Sequence, residues 1–165
     1  MAGCATDSSR VAMTNGAPEV PAPSKDEKIA VSLTAKGFQI YECRAKQSDA
    51  TQFEWGLKAP EADLFDRAGR KVGTHSKGPR WDHIDGSSVI GENPRPYGKD
   101  TNAIPWLLLG VKKAEGSGIF GKVTSIQRVN TVGGKAPSSG CDMSTVGKEI
   151  RVPYTATYHF YVAKP

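Results

Sequence analysis

Leu64-Phe65-Asp66-Arg67-Ala68-Gly69-Arg70-Lys71-Val72-Gly73-Thr74-His75-Ser76-Lys77-Gly78-Pro79-Arg80-Trp81-Asp82-His83-Ile84-Asp85-Gly86-Ser87-Ser88-Val89-Ile90-Gly91 is the stretch that decides the fold class. Short strand-like runs alternate in it with turn chemistry at Arg67-Ala68-Gly69, Ser76-Lys77-Gly78-Pro79 and Asp85-Gly86. Asp-Gly is a two-residue hairpin signal, and none of the intervening runs is long enough to form a helix with an apolar stripe. Residues 64–91 therefore read as a meander of short strands.

Upstream, Ala30 to Thr34 and Gly37 to Cys43 alternate with period two. Phe38, Ile40 and Glu42 face one way, and Gln39, Tyr41 and Cys43 the other. Gln52 to Leu57 places Phe53, Trp55 and Leu57 on one face. Downstream, Gly91 to Asn102 reads as a polar loop with Pro94 and Pro96, followed by a core strand at 104–113. Glu115 to Gly118 turns the chain back into a strand at 122–131, and a long loop over 132–150 holds Cys141. The last strand sets Tyr154, Ala156, Tyr158, Phe160 and Val162 on one face. The expectation is an all-β fold of about eight or more short strands, an antiparallel barrel or a sandwich. Periodicity does not separate those two, and a short helix over Lys25–Lys36 is the minor alternative at the start.

A chain of 165 residues fits one domain, expected over 29–165 behind an extended tether at 1–28 with no hydrophobic period. The longest apolar run, Ile104 to Val111, is strand-sized, too short for a spanning helix. The formal charge of +5 comes from scattered Lys and Arg, without the clustering and interleaved aromatics of a nucleic-acid surface. The reading is a solvated basic surface, with no nucleic-acid partner.

The cysteines carry the compartment. Cys43 and Cys141 sit at opposite ends of the domain, and a bridge between them would close a long loop and persist only in an oxidising compartment. The alternative is two unrelated thiols. Ala2-Gly3-Cys4 is similar to the end of a bacterial lipoprotein signal, which would make Cys4 a lipidation site and the only membrane attachment. The apolar segment that should precede it is missing, so a truncated signal and a chance match both stay open. Together these features predict an extracytoplasmic protein, secreted, periplasmic or anchored.

Trp55 to Asp66, Gly73 to Trp81, Ala103 to Leu109 and Ile126 to Gly134 form four motifs in order. Together they resemble an exported family of bacteria and filamentous fungi, catalogued as domain of unknown function 3455. The resemblance implies a β-rich exported domain with the Cys43–Cys141 pair, and no established activity. Some fungal relatives carry a malate dehydrogenase label, which does not transfer: the chain has no strand–GxGxxG–helix unit to cradle a dinucleotide.

Two side-chain groups could carry chemistry. With Lys77 to Pro79 at a hairpin tip, His75, Trp81, His83 and Asp85 fall on one sheet face. His75, His83 and Asp85 would then form a three-ligand site for zinc or copper, the one cofactor the sequence suggests. The competing reading is a Trp-anchored hairpin with ordinary rim residues. Glu61 and Asp63 could serve as a glycosidase pair, but two acids on one strand face are more simply solvated or ion-paired. There is no GxSxG elbow, P-loop or other complete catalytic motif, so no catalytic residue is assigned. The remaining candidates are ligand-binding: Trp55, His75, Trp81, Trp106 and, within the fourth motif, Arg128. The expected function is binding of a small molecule or envelope component in an aromatic pocket. A metal-dependent enzyme and a structural or stress-related envelope protein are the alternatives.

Overall fold

The computed structural model describes residues 23–97 and 102–165. Its strands are β1 (Glu27–Ala45), β2 (Phe53–Phe65), β3 (Lys71–Ser76), β4 (Arg80–His83), β5 (Ser88–Tyr97), β6 (Trp106–Glu115), β7 (Val123–Gly133) and β8 (Glu149–Ala163). Each pairs antiparallel with the next, and β8 pairs with β1, so the sheet is a closed up-and-down barrel. Between barrel and sandwich, the β1–β8 ladder decides: it runs from Glu27↔Ala163 to Glu42↔Glu149. Residues 1–22 of the expected tether, with Cys4, lie outside the described residues, and β1 begins at Glu27, two residues before the expected start of the domain.

Three expectations change. The runs at 30–34 and 37–43 form one strand, with no helix at its start. Gly37 is a point of close approach, since a Cβ there would lie 2.2 Å from the Glu61 carbonyl oxygen. Residues 91–97, expected as loop, extend β5. A register shift between Glu92 and Arg95 absorbs Asn93 and Pro94, with Asn93 at φ 50°. Proline is tolerated there because β4 pairs with β5 only as far as Ile90, so this part of β5 is an edge.

Alternation sends one side of every strand inward. Leu33, Ala35, Leu64, Trp81, Val89, Leu109, Ile126, Tyr158 and Phe160 form a continuous core. Each large side chain buried there contributes about 1.5–3 kcal/mol. The face of β8 expected from periodicity is the one that points inside. Outside, Glu61 pairs with Arg151, Asp63 with Lys71 and Lys58 with Glu149. Glu61 and Asp63 are thus exterior ion-paired acids. An apolar interior under a charged exterior is the reverse of a membrane-spanning barrel, and no helix among the described residues is long and apolar enough to cross a membrane.

One end of the barrel is sealed by the β6–β7 loop, which drops Phe120 onto Phe160 with ring centroids 4.5 Å apart. Gly116-Ser117-Gly118-Ile119-Phe120-Gly121 has the spacing of a phosphate loop but leads into β7 instead of a helix. Its amides are already taken. Asp85 Oδ2 accepts from Ile119 N–H at 2.8 Å, and Ser87 Oγ accepts from Phe120 N–H at 3.0 Å. Burial opposes the Asp85 charge, but hydrogen bonds from Ser87 and Ile119, with His83 beside it, hold the carboxyl down at about 2. A Cβ on Gly118 would lie 2.2 Å from that carboxyl carbon.

At the other end, a disulfide joins Cys43, at the end of β1, to Cys141 in the β7–β8 loop, 98 residues away. Trp55 Nε1–H donates to Ser139 O at 2.8 Å, and Asp142 caps the short turn Met143–Thr145, so the loop is held at three points. Closing a loop of this length contributes about 4–5 kcal/mol in the chain-entropy model. The Cys43→Ser/Cys141→Ser variant should lose about that much unfolding free energy in urea titrations without reductant. Reduced wild-type protein should match it, and an unchanged midpoint would mean the bridge does not constrain the chain.

Candidate functional site

β3 and β4 are the shortest strands, and their lengths open the wall. β3 pairs with β2 only over Ala62 to Phe65, and β4 with β5 only over Ser88 to Ile90. No pairing joins β2 to β5 directly. Residues 53–61 of β2 and 92–97 of β5 therefore face each other across a gap, with the β3–β4 turn as its sill. The Gly78–Pro79 peptide of that turn is cis, and Pro79 O accepts from Gly91 N–H at 2.9 Å, tying the sill to β5.

Behind the gap lies a cavity of about 250 Å³ inside the barrel. Leu57, Pro60, Pro79, Leu107 and Leu109 supply apolar wall, Gln39, His75, Trp81, Arg128 and Tyr158 bring buried polar groups, and the exposed Lys58 and Lys77 also line it. An eight-stranded barrel is just wide enough to be filled by side chains or to hold one small ligand. Here the half near Phe120 is filled, and the half near the gap is not. A wider depression of about 450 Å³ lies over Phe38, Phe65, Val132 and Pro153, but it encloses no orphaned polar group.

The polar groups of the cavity are unusual for a core. His75 and Trp81 are paired across the hairpin and stack at 4.3 Å, 13° from parallel. His75 Nδ1–H donates to Arg80 O at 2.8 Å, which leaves Nε2 as an acceptor. Burial pushes the His75 imidazole down to about 4, against the hydrogen bond to Arg80 and with help from the Arg128 charge. It is neutral at pH 7. Burial likewise raises the phenols of Tyr41, Tyr154 and Tyr158, with the Arg128 charge opposing each shift.

Arg128 is 9% exposed, and its Nε and Nη2 both donate to Pro105 O, at 3.1 and 2.8 Å. Among the described residues no ion pair includes it. Buried charges are normally paired, so a lone guanidinium in the lumen needs a reason. Two further atoms are fully enclosed without a hydrogen-bond partner among the described residues: Gln39 Oε1 and Trp81 Nε1. Each such group costs about 1–3 kcal/mol. All three belong to side chains that line the same cavity.

Of the expected ligand-binding residues, His75, Trp81 and Arg128 come together. Trp55 does not: it lines a separate depression beside Cys141. Trp106 pairs with Tyr97 across β5–β6 and is half-buried away from the lumen. The hairpin register placed His75, Trp81 and His83 on one face as expected, yet His75, His83 and Asp85 are not assembled as three ligands. His75 is turned to Arg80 O and Trp81, while His83 packs on Phe120 at 5.4 Å beside Asp85 at the sealed end. Among the described residues no three His, Cys, Asp or Glu side chains are grouped to hold a metal ion. Gln39, Leu57, Leu107 and Leu109 were not singled out from sequence. Gln39 carried a signal, its parity with Tyr41 and Cys43, but nothing said that this side faced inward.

The stability of the His75 environment predicts a pH dependence. The folded imidazole sits at about 4 and the free one at 6.5, so between those values the unfolded chain holds a proton that the folded chain lacks. Stability should fall as pH drops from about 6.5 towards 4, by on the order of 3 kcal/mol. Urea unfolding at stepped pH should show this slope in wild type and a shallower one in His75→Gln. Equal slopes would assign the titration to another group.

A family model described as a protein of unknown function (DUF3455) matches residues 23–162, and the chain belongs to that family. No curated protein and no solved structure matches the chain.

Proposed function

We propose that this member of the DUF3455 family is a binding protein, which takes a small organic molecule into the barrel lumen through the gap above the β3–β4 turn. One observation carries the reading: three uncompensated buried polar groups, on Gln39, Trp81 and Arg128, line a single apolar cavity. Pockets for small molecules are mostly apolar with a few convergent polar groups. A purely structural barrel would gain by replacing these groups with apolar ones. The flat His75–Trp81 stack offers a surface for a planar ligand, since offset ring stacking contributes about 0.5–1.5 kcal/mol beyond area burial. No catalytic role is assigned: the cavity holds a neutral imidazole and one raised phenol, that of Tyr158, but no carboxylate and no free nucleophilic thiol among its lining residues. The Cys43–Cys141 bridge supports an oxidising, extracytoplasmic place of work, where the ligand would be an exported or envelope-derived small molecule.

The indole N–H of Trp81 is the natural reporter. In proton–nitrogen spectra, a library of small aromatic and aliphatic compounds should yield binders that shift the Trp81 indole resonance and leave that of Trp106 in place. Leu57, half-exposed at the rim of the gap, can be enlarged without touching the core. Leu57→Trp should weaken those binders by about tenfold or more. A library with no effect on Trp81, or undiminished binding to the Leu57→Trp variant, would overturn the proposal.

A further inference from the structure

We infer that the molecule this cavity accepts is a small organic acid, an apolar flat body bearing one carboxylate that sits against Arg128. The inference rests on the lumen-binding reading above and adds the ligand's charge.

Arg128 cannot shed its proton, so only an anion can neutralise it. The described residues supply none in the lumen. Tyr41, Tyr154 and Tyr158 stay neutral, their phenols raised by burial, and no ion pair among the described residues reaches the guanidinium. Pro105 O occupies one edge of the fork through Nε and Nη2, which fixes the plane of the guanidinium; a further N–H is shared with the Tyr158 hydroxyl, and no carboxylate among the described residues meets the rest. That is a preorganised donor set for a carboxylate. Trp81 Nε1–H and Gln39 Oε1 are buried without a partner among the described residues, and both side chains line the same cavity, so the Trp81 indole lies close enough to report on what enters.

The rest of the lining sets the body. Leu57, Pro60, Pro79, Leu107 and Leu109 offer no donors, and the two lysines of the lining, Lys58 and Lys77, are exposed, with Lys58 already paired to Glu42 and Glu149; this favours a hydrocarbon or aromatic frame over an inorganic phosphate or sulfate. A single buried cation matches one negative charge. The volume, about 250 Å³, is that of roughly eight waters at about 30 Å³ each, which suits a ligand of one ring.

The test compares matched acids and amides on the intact, disulfide-bonded protein: benzoate with benzamide, and 4-hydroxybenzoate with 4-hydroxybenzamide. Affinities are read from the Trp81 indole resonance and by calorimetry. The acids should bind about tenfold or more tighter than the amides, the discrimination expected of a charge-assisted contact. In Arg128→Gln the preference should vanish while amide binding persists, and Arg128→Lys should restore part of it. Amides binding as well as acids in wild type would overturn the inference and leave lumen binding standing; that comparison needs no variant to fold. A preference that survives in Arg128→Gln would likewise overturn it. If neither acids nor amides move the Trp81 resonance, the lumen-binding reading falls, and the inference with it.

Discussion

β1 is paired along nearly its whole length with β8 on one side and, from Thr34 to Ala45, with β2 on the other. Everything in the lumen depends on this double ladder. A slip of one residue would exchange Gln39, Tyr41 and Cys43 for Phe38, Ile40 and Glu42. The cavity would lose its amide, the β7–β8 loop its disulfide partner, and a carboxylate would enter the wall. Two independent restraints guard the register. The Cys43–Cys141 bond holds the end of β1, and the Tyr41 hydroxyl donates to Gly134 O from the inward side of the same strand.

The lumen divides into two physical regimes. Near the sealed end, polar groups are satisfied within the protein: Asp85, Ser87 and the amides of the β6–β7 loop complete one another. Near the gap, Arg128, Trp81 and Gln39 keep capacity unspent. A domain stable by about 5–15 kcal/mol carries such a deficit only if other terms offset it. Here the aromatic core and the disulfide do so. Unsatisfied polarity is thus confined to one part of an otherwise satisfied barrel, where local rules of polar pairing give way.

Much of the strand pattern was legible in the sequence, because a period of two survives burial, and the Asp85-Gly86 and Lys77–Pro79 turns announce themselves. The inward side of β1 was not. Its outer face carries Phe38, over which Arg151 stacks at 4.5 Å, while its inner face carries Gln39 and Tyr41, so the usual rule of apolar inside fails at the site itself. The extension of β5 was hidden by Pro94 and Pro96, which mark a loop unless the strand has a free edge. His75 and Trp81 were legible as a cross-strand pair. The metal reading assumed that side chains on one face share one centre, but His83 and Asp85 lie at the sealed end, a rise of two residues beyond Trp81. Arg128 could be named, but its lack of an ion pair among the described residues is a property of eight strands together.

A hole in a β-barrel exposes backbone that could recruit a strand from a neighbouring molecule, the route by which sheets grow into fibrils. Both sides of this gap carry proline: Pro60 on β2, and Pro94 and Pro96 on β5, with Pro79 on the sill between them. A proline has no N–H to offer an incoming strand, and the bulge at Asn93 bends the β5 side out of a continuous ladder. The gap is thus framed by residues that offer an incoming strand little to pair with, and the barrel can leave its wall open there without becoming a template for its own aggregation.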